Sequence, residues 1–181
     1  MKNYNTVTVS LLSGILCLLL TGCRPEIPRQ QPVSSLFPDV QGTSLKGENY
    51  VIPEDFTGTP TLLLIGYIQE SQFDIDRWLL GLVQLGTPIA VREIPTVRGL
   101  VPRLIANKID SGMRSGIPEE DWGTVITVYK DADIIANFLG TEAPFNARVA
   151  LLDAEGKVIW FHDRGYSATL MSELDQIVRS L

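Results

Sequence analysis

The residue types that do chemistry in proteins are thinly spread along this 181-residue chain. Its two cysteines, Cys17 and Cys23, both stand within the first 23 residues, and His162 is the single histidine. Thiol catalysis and soft-metal binding need cysteines, and a histidine site needs a second ligand or a base partner. The stretch best placed for a site is Ile68-Gln69-Glu70-Ser71-Gln72. It follows an apolar run, residues 61–67, that reads as a buried strand, and it precedes an amphipathic helix. A strand, a loop and a helix in that order open a βαβ unit, whose loop at the strand's carboxyl end faces the crevice where ligands sit. That loop holds no nucleophile with an activating base beside it, and Glu70 is its one ionisable group.

Other polar groupings have ordinary readings beside any chemical one. Asp131 and Asp133 next to Lys130 could hold a hard metal, but they also suit an N-cap and the first turn of a helix. Glu119-Glu120-Asp121 reads as a solvated loop face. His162, after Trp160-Phe161, reads as a surface residue at a strand end. The stretch 112–118, Gly-Met-Arg-Ser-Gly-Ile-Pro, holds too many glycines to continue a helix and reads as a mobile connection. Met113 and Arg114 in it are candidate contacts for a protein partner.

The elements that must position these residues follow from hydrophobic spacing. Residues 36–56 suggest a short hairpin with turn residues Gly42 and Gly47. Ile75, Trp78, Leu79, Leu82 and Val83 form one stripe of a helix ended by Gly86 and Pro88. Residues 89–94 make a second central strand, 100–109 a second helix, and 124–129 a β-branched third strand. Asp131 is expected to cap a short helix with Ile134, Ile135, Phe138 and Leu139 inward. Residues 149–152 and 158–161 form a closing hairpin, and Leu170, Leu174, Ile177, Val178 and Leu181 the last helix. Trp78 and Trp160 are expected in the core, and Trp122 as the most exposed tryptophan. The order is that of an α/β layer with mixed strand directions, in one domain.

The amino terminus reads as an export segment. One early Lys2 precedes the apolar residues 11–20, which are too short to span a hydrocarbon core that needs about 20 residues. Leu20-Thr21-Gly22-Cys23 resembles the lipobox of bacterial lipoproteins. The resemblance implies a signal peptide of residues 1–22 and a mature chain starting at a diacylglyceryl-modified, N-acylated Cys23. More than one acyl chain anchors stably. Arg24 after the cysteine favours the outer membrane, facing the periplasm. Residues 24–35, with three prolines, two glutamines and two serines, fit an extended tether between Cys23 and a domain of residues 36–181.

Cleavage would remove Cys17 and commit Cys23 to lipid, leaving a domain without a free thiol. It would also remove one lysine and no acid, so 14 basic residues face 21 acidic ones, a net −7. Such a surface excludes nucleic acid as an expected partner. No cofactor and no metal is expected.

Phe37-Pro38-Asp39-Val40, Gly42, Leu45, Phe56-x-Gly58 and the strand TLLLIGY resemble the entry of the thioredoxin-like superfamily, especially its peroxiredoxin and membrane-anchored thioredoxin branches. Arg148-Val149-Ala150-Leu151-Leu152-Asp153 with Gly156-Lys157-Val158-Ile159-Trp160 is similar to that superfamily's closing hairpin. The resemblance covers nearly all of the mature domain. It implies a thioredoxin-like mixed sheet flanked by helices, with an N-terminal β-hairpin. FPDVQGTSLKG, the helix with Trp78, the strand ending Glu93-Ile94-Pro95, and LLDAEGKVIW resemble the family of the mitochondrial ATP synthase assembly factor Atp10 and its bacterial relatives.

The departures from the superfamily exclude its usual chemistry. Its redox cysteine positions fall near Glu70 and Phe73, and no thiol stands there. The GY after the strand is similar to copper-binding thioredoxin-like proteins, but their CxxxC ligands are missing. The proline that precedes the penultimate strand of thioredoxins is replaced by Ala147-Arg148, with Pro144 a few residues early. Arg148 stands where peroxiredoxins hold an arginine over the sulfur, which makes an ion pair with Glu70 an expectation. Three functions stay open. The first is a redox-inactive binding or assembly module, anchored to lipid through Cys23 and recognising an envelope protein. The second is a non-thiol enzyme using Glu70 as base and Arg148 to stabilise negative charge. The third is a binder of small anionic ligands.

Overall fold

A computed structural model of the chain describes residues 26–181. The expected signal segment 1–22 and Cys23 lie outside the described residues. The strand β3, Thr61–Gly66, is buried at every position, as an apolar run covered on both faces must be. It pairs in parallel with β4, Ala90–Pro95, and antiparallel with β6, Arg148–Leu152; β7, Val158–His162, closes the edge. The sheet order is therefore β4-β3-β6-β7. A second sheet, β2-β1-β5, is built from β1 Val40–Ser44, β2 Asn49–Ile52 and β5 Ile126–Thr127. Isolated parallel bridges, Glu93 with Val125 and Thr96 with Val128, join the two sheets. The layer is the mixed α/β sheet flanked by helices that the sequence suggests.

Alternation along β3 divides the core. Leu62 and Leu64 face helix α1, Gln72–Leu85, and helix α5, Ala168–Arg179; Leu63 and Ile65 face helix α4, Ala132–Leu139. Trp78 is fully buried and meets Trp160 and Tyr166 edge-on at 6.0 and 5.3 Å between ring centroids. Cutting such a side chain back to alanine costs about 3–5 kcal/mol. Helix α1 buries Ile75, Trp78 and Leu82 from the expected stripe, but Val83 is 78% exposed. Gly81 takes an inward place instead, because Met171 of α5 lies where a side chain would go.

Several expectations need correction. The hairpin turns at Gly47, with φ +93°, whereas Gly42 lies inside β1, where a Cβ would meet the Ile126 side chain at 2.6 Å. The segment expected as a free tether is tied down from Ile27 onward. Ile27 and Thr141 exchange hydrogen bonds of 2.7 and 2.8 Å, Ser34 N–H donates to Val158 O, and Leu36 bridges Lys157. Proline and glutamine content does not preclude docking when the backbone finds partners.

The second helix is two. Helix α2, Leu100–Leu104, breaks at Ile105, and helix α3, Ala106–Gly116, runs through Gly112 and Gly116. The stretch holding Met113 and Arg114 is thus mostly helical rather than a loop. Asp131 does not cap α4 with its side chain; its Oδ2 accepts from the Gln41 N–H at 2.8 Å and ties α4 to β1. Ile134, expected inward, is 43% exposed, and Ala132 and Ala136 are buried in its stead.

Candidate functional site

The carboxyl end of β3 runs into a tight corner. Ser71 Oγ donates to the Ile68 carbonyl at 2.6 Å and fills the space where a side chain on Gly66 would sit. A 3₁₀ turn, Gln69–Ser71, then leads into α1. Because β6 runs antiparallel to β3 and β7 antiparallel to β6, the start of β6 and the end of β7 meet at the same corner.

Two charged side chains that sequence reasoning does not distinguish as a pair build the corner from opposite sides. Asp74, in the first turn of α1 and 6% exposed, accepts the Ala147 N–H at 2.9 Å and the Tyr166 N–H at 2.7 Å. Its carboxylate staples α1 to the start of β6 and to the loop after β7. Proline at position 147 would have no N–H to give, which accounts for the departure from the thioredoxin pattern at that position. Arg148 is fully buried; its Nη1 donates to the Asn146 and Ala143 carbonyls at 2.7 and 3.1 Å, and its Nη2 to Glu142 O. Its guanidinium lies 4.5 Å from the Tyr67 ring centroid, a cation–π contact in a dry setting. Burial pulls the Arg148 guanidinium below its ordinary range and pushes the Tyr67 hydroxyl above its own.

The expected Glu70–Arg148 ion pair is not formed. Glu70 is exposed on the 3₁₀ turn, while Arg148 is spent on the backbone of residues 142–146. An arginine with no exposed surface offers none to a substrate, so the arrangement gives a Glu70 base and Arg148 anion-stabiliser no support. Met113 and Arg114 are not part of the corner. Arg114 Nε donates to Leu45 O at 2.7 Å, beyond the carboxyl end of β1 and so at the opposite end of the sheet. Its guanidinium also lies 5.7 Å from the ring of Trp122, whose indole N–H donates to Ile117 O; half-buried, that tryptophan is the most exposed of the three, as expected.

Beneath the corner, His162 is half-buried against Trp78 and Trp160, with Nε2 2.9 Å from Gly165 O. It has no metal-ligand neighbours: among the described residues, no group of three His, Cys, Asp or Glu could hold an ion. Asp133 pairs with Arg98 at 2.8 Å instead of facing a metal.

What the corner presents outward is an open concavity of about 500 Å³. Phe73 and Phe145 line it, 74% and 62% exposed, with Arg77, Arg164, Glu70 and Tyr166 around them. Phe145 was not legible as a site residue; only its place between Pro144 and Asn146, just ahead of a strand, marks it as a loop tip. Asp74 could be suspected only from an acid falling one position before the apolar stripe. Next to the concavity, Arg29 Nε donates to both oxygens of Asp163 at 2.8 and 2.6 Å, and this hydrogen bonding holds its guanidinium above the ordinary range.

No family model matches the chain, and no curated protein matches it. Solved structures do. The chain is similar to yeast Sco1 with copper bound, at 12% identity over 84% of this chain and 96% of that one, TM-score 0.58. It is similar to the thiol peroxidase of Chromobacterium violaceum, at 16% identity over 87% and 95%, TM-score 0.54. It is also similar to the exposed lipoprotein thioredoxin Etrx1 of Streptococcus pneumoniae, at 12% identity over 80% and 100%, TM-score 0.52. Likeness at this level concerns backbone, and with the strand order and flanking helices it establishes one thing: the chain has a thioredoxin-like fold.

Proposed function

We propose that the protein is a lipoprotein whose thioredoxin-like domain, lacking thiols, binds a segment of an envelope protein at the Phe73–Phe145 concavity. It would serve assembly, in the manner of the Atp10 family its sequence resembles. One observation carries the reading: a corner clamped by Asp74 and Arg148 exposes two large aromatic rings and holds no thiol. Exposed aromatics on pre-set backbone are the side chains that act as anchors in protein interfaces, because little freedom is lost when they are covered. The anchor is Cys23, in the lipobox-like sequence LTGC, with the outer membrane favoured by Arg24.

The test compares wild type with Phe73→Ala/Phe145→Ala in cells, using mild crosslinking and recovery from membranes. A partner retained by wild type and lost by the double variant, with unchanged circular dichroism, supports the reading. A partner set that is the same for both defeats it. Feeding cells a labelled fatty acid checks the anchor separately: label on wild type and none on Cys23→Ser is expected.

A second reading, a small anionic ligand in the same concavity, is favoured by Arg77 and Arg164. Both line it, and neither forms an ion pair among the described residues. Dicarboxylates that raise the melting temperature of wild type and not of Arg77→Gln/Arg164→Gln would shift the assignment to that reading.

A further inference from the structure

We propose that the end of the sheet bearing the corner faces the bilayer surface, with α2 in contact with lipid and the Phe73–Phe145 concavity beside it left to the protein partner. The proposal builds on the reading of Cys23 as the lipid anchor and names which face the anchor turns to the membrane. Its first ground is where the chain enters the fold. Ile27 is pinned to Thr141, and Arg29 to Asp163, which directly follows β7 at the corner. Only three residues separate Cys23 from Ile27, so the four steps between them reach about 14 Å at most. A domain docked from Ile27 onward cannot stand off on a long tether, and the corner end is the one the anchor draws in.

The second ground is what that end exposes. Helix α2 follows the carboxyl end of β4, and Arg103 donates to the carbonyls of Tyr129 and Lys130, just past β5. Since β4 runs parallel to β3, and β5 bridges β4 in parallel, α2 emerges at the same end as the corner. Leu100, Val101 and Leu104 are 73%, 59% and 85% exposed within five residues, and no residue of α2 is buried. Single exposed leucines are ordinary and a cluster on one short helix is not; Leu80, Val83 and Leu85 at the far end of α1 form another such cluster, and the position of the anchor decides which of the two meets lipid. With a formal net charge of −6, the chain gains little from an anionic surface, so apolar contact is the driving term. The anchor makes that contact intramolecular in effect, and a handful of side chains then suffices.

Removal of residues 1–22 would leave Cys23 as the sole cysteine, blocked by its thioether, so introduced cysteines can be labelled selectively in the full lipidated chain. Leu100→Cys, Leu104→Cys and, in the β6–β7 turn at the far end, Glu155→Cys are all at exposed positions. Each carries an environment-sensitive fluorophore and is placed in protein-free vesicles of phosphatidylethanolamine and phosphatidylglycerol with a brominated lipid fraction. Quenching at positions 100 and 104 should exceed that at 155 several-fold and persist in high salt. Equal quenching at all three, in a sample whose Cys23 fragment carries acyl chains by mass spectrometry, overturns the orientation and leaves the anchor standing. A Cys23 fragment without lipid overturns both. Shielding of 100 and 104 in native membranes but not in vesicles assigns the patch to a protein and also overturns the proposal.

Discussion

Two stretches of this molecule start alike and end differently. After β3 the chain turns into α1, which buries Asp74, Ile75, Trp78, Gly81 and Leu82. After β4 it turns into α2 and α3, in which no residue is buried. Around the first stretch two charged side chains, Asp74 and Arg148, are interior and bond to backbone; around the second they are half-exposed, as with Arg103, Asp110 and Arg114. A buried charge whose partners are peptide groups makes a rigid corner, since undoing any bond leaves an unsolvated group. A surface helix held by the same kinds of groups can exchange them for water, so it opens at little cost.

The strongest way to break this contrast is to remove the interior charge. Arg148→Met keeps most of the volume but strips hydrogen bonds from three carbonyls, and should lower unfolding free energy by about 3 kcal/mol or more. Denaturant titration reads it, and a loss below about 1 kcal/mol would mean that the corner is no more clamped than the surface. Asp74→Asn should cost about 2 kcal/mol, because one of the N–H groups of Ala147 and Tyr166 then meets an amide donor. Loosening the loop should also weaken partner capture even though Phe145 is untouched.

On the other side of the contrast, Tyr129→Phe deletes the 2.8 Å bond from the tyrosine hydroxyl to Asp110 Oδ1. The expected global loss is only about 1 kcal/mol. Native-state proteolysis should show its larger effect locally, with cleavage within residues 100–116 accelerated more than cleavage in the corner. Equal protection of both segments would erase the distinction.

Much of the fold was legible because periodicity reports burial. Residues 61–67 read as a covered strand, and β3 is one; Trp78 and Trp160 read as core, and they are. The corner's location followed from strand–loop–helix order alone. Its construction did not, because Asp74 and Arg148 work by reaching backbone groups that carry no sequence signature. Arg148 looked like a ligand-facing cation for the same reason: type and position were visible, burial was not. The helix through Gly112 was missed because glycine content argues against a helix locally. Arg114 to Leu45 O and Asp110 to Tyr129 and Thr127 are contacts made from far along the chain.

That missed helix supplies a smaller test. Gly112 has nothing within 4 Å of an added Cβ and lies in α3. Gly112→Ala should therefore stabilise by roughly 0.5–1 kcal/mol, the helix-propensity difference, read as a raised denaturation midpoint. Destabilisation would mean that residue 112 sits in a loop and that the looseness of this segment is not that of a solvated helix.

The smallest expected effect lies where the two regions touch. Glu93 on β4 accepts from Gln72 Nε2 of α1 at 3.2 Å, and its carboxyl also feels Asp76 of α1 and Asp121 beyond α3. Burial raises its pKa above the ordinary value, the two acids add to the rise, and the Gln72 bond opposes it. A folded-state pKa above the unfolded one means that the native state holds the proton more tightly. The resulting stability is complete below the unfolded value of about 4.3 and is lost as pH rises through the folded value. Above that range the charged form of Glu93 strains the junction, and Glu93→Gln, which keeps an acceptor for Gln72, should raise the denaturation midpoint there. The advantage over wild type should shrink toward zero as the pH falls below about 4. A difference between the two proteins that stays constant from neutral to acid would show that the junction senses shape and not charge, and that the corner and the α2–α3 segment are coupled only through the strand between them.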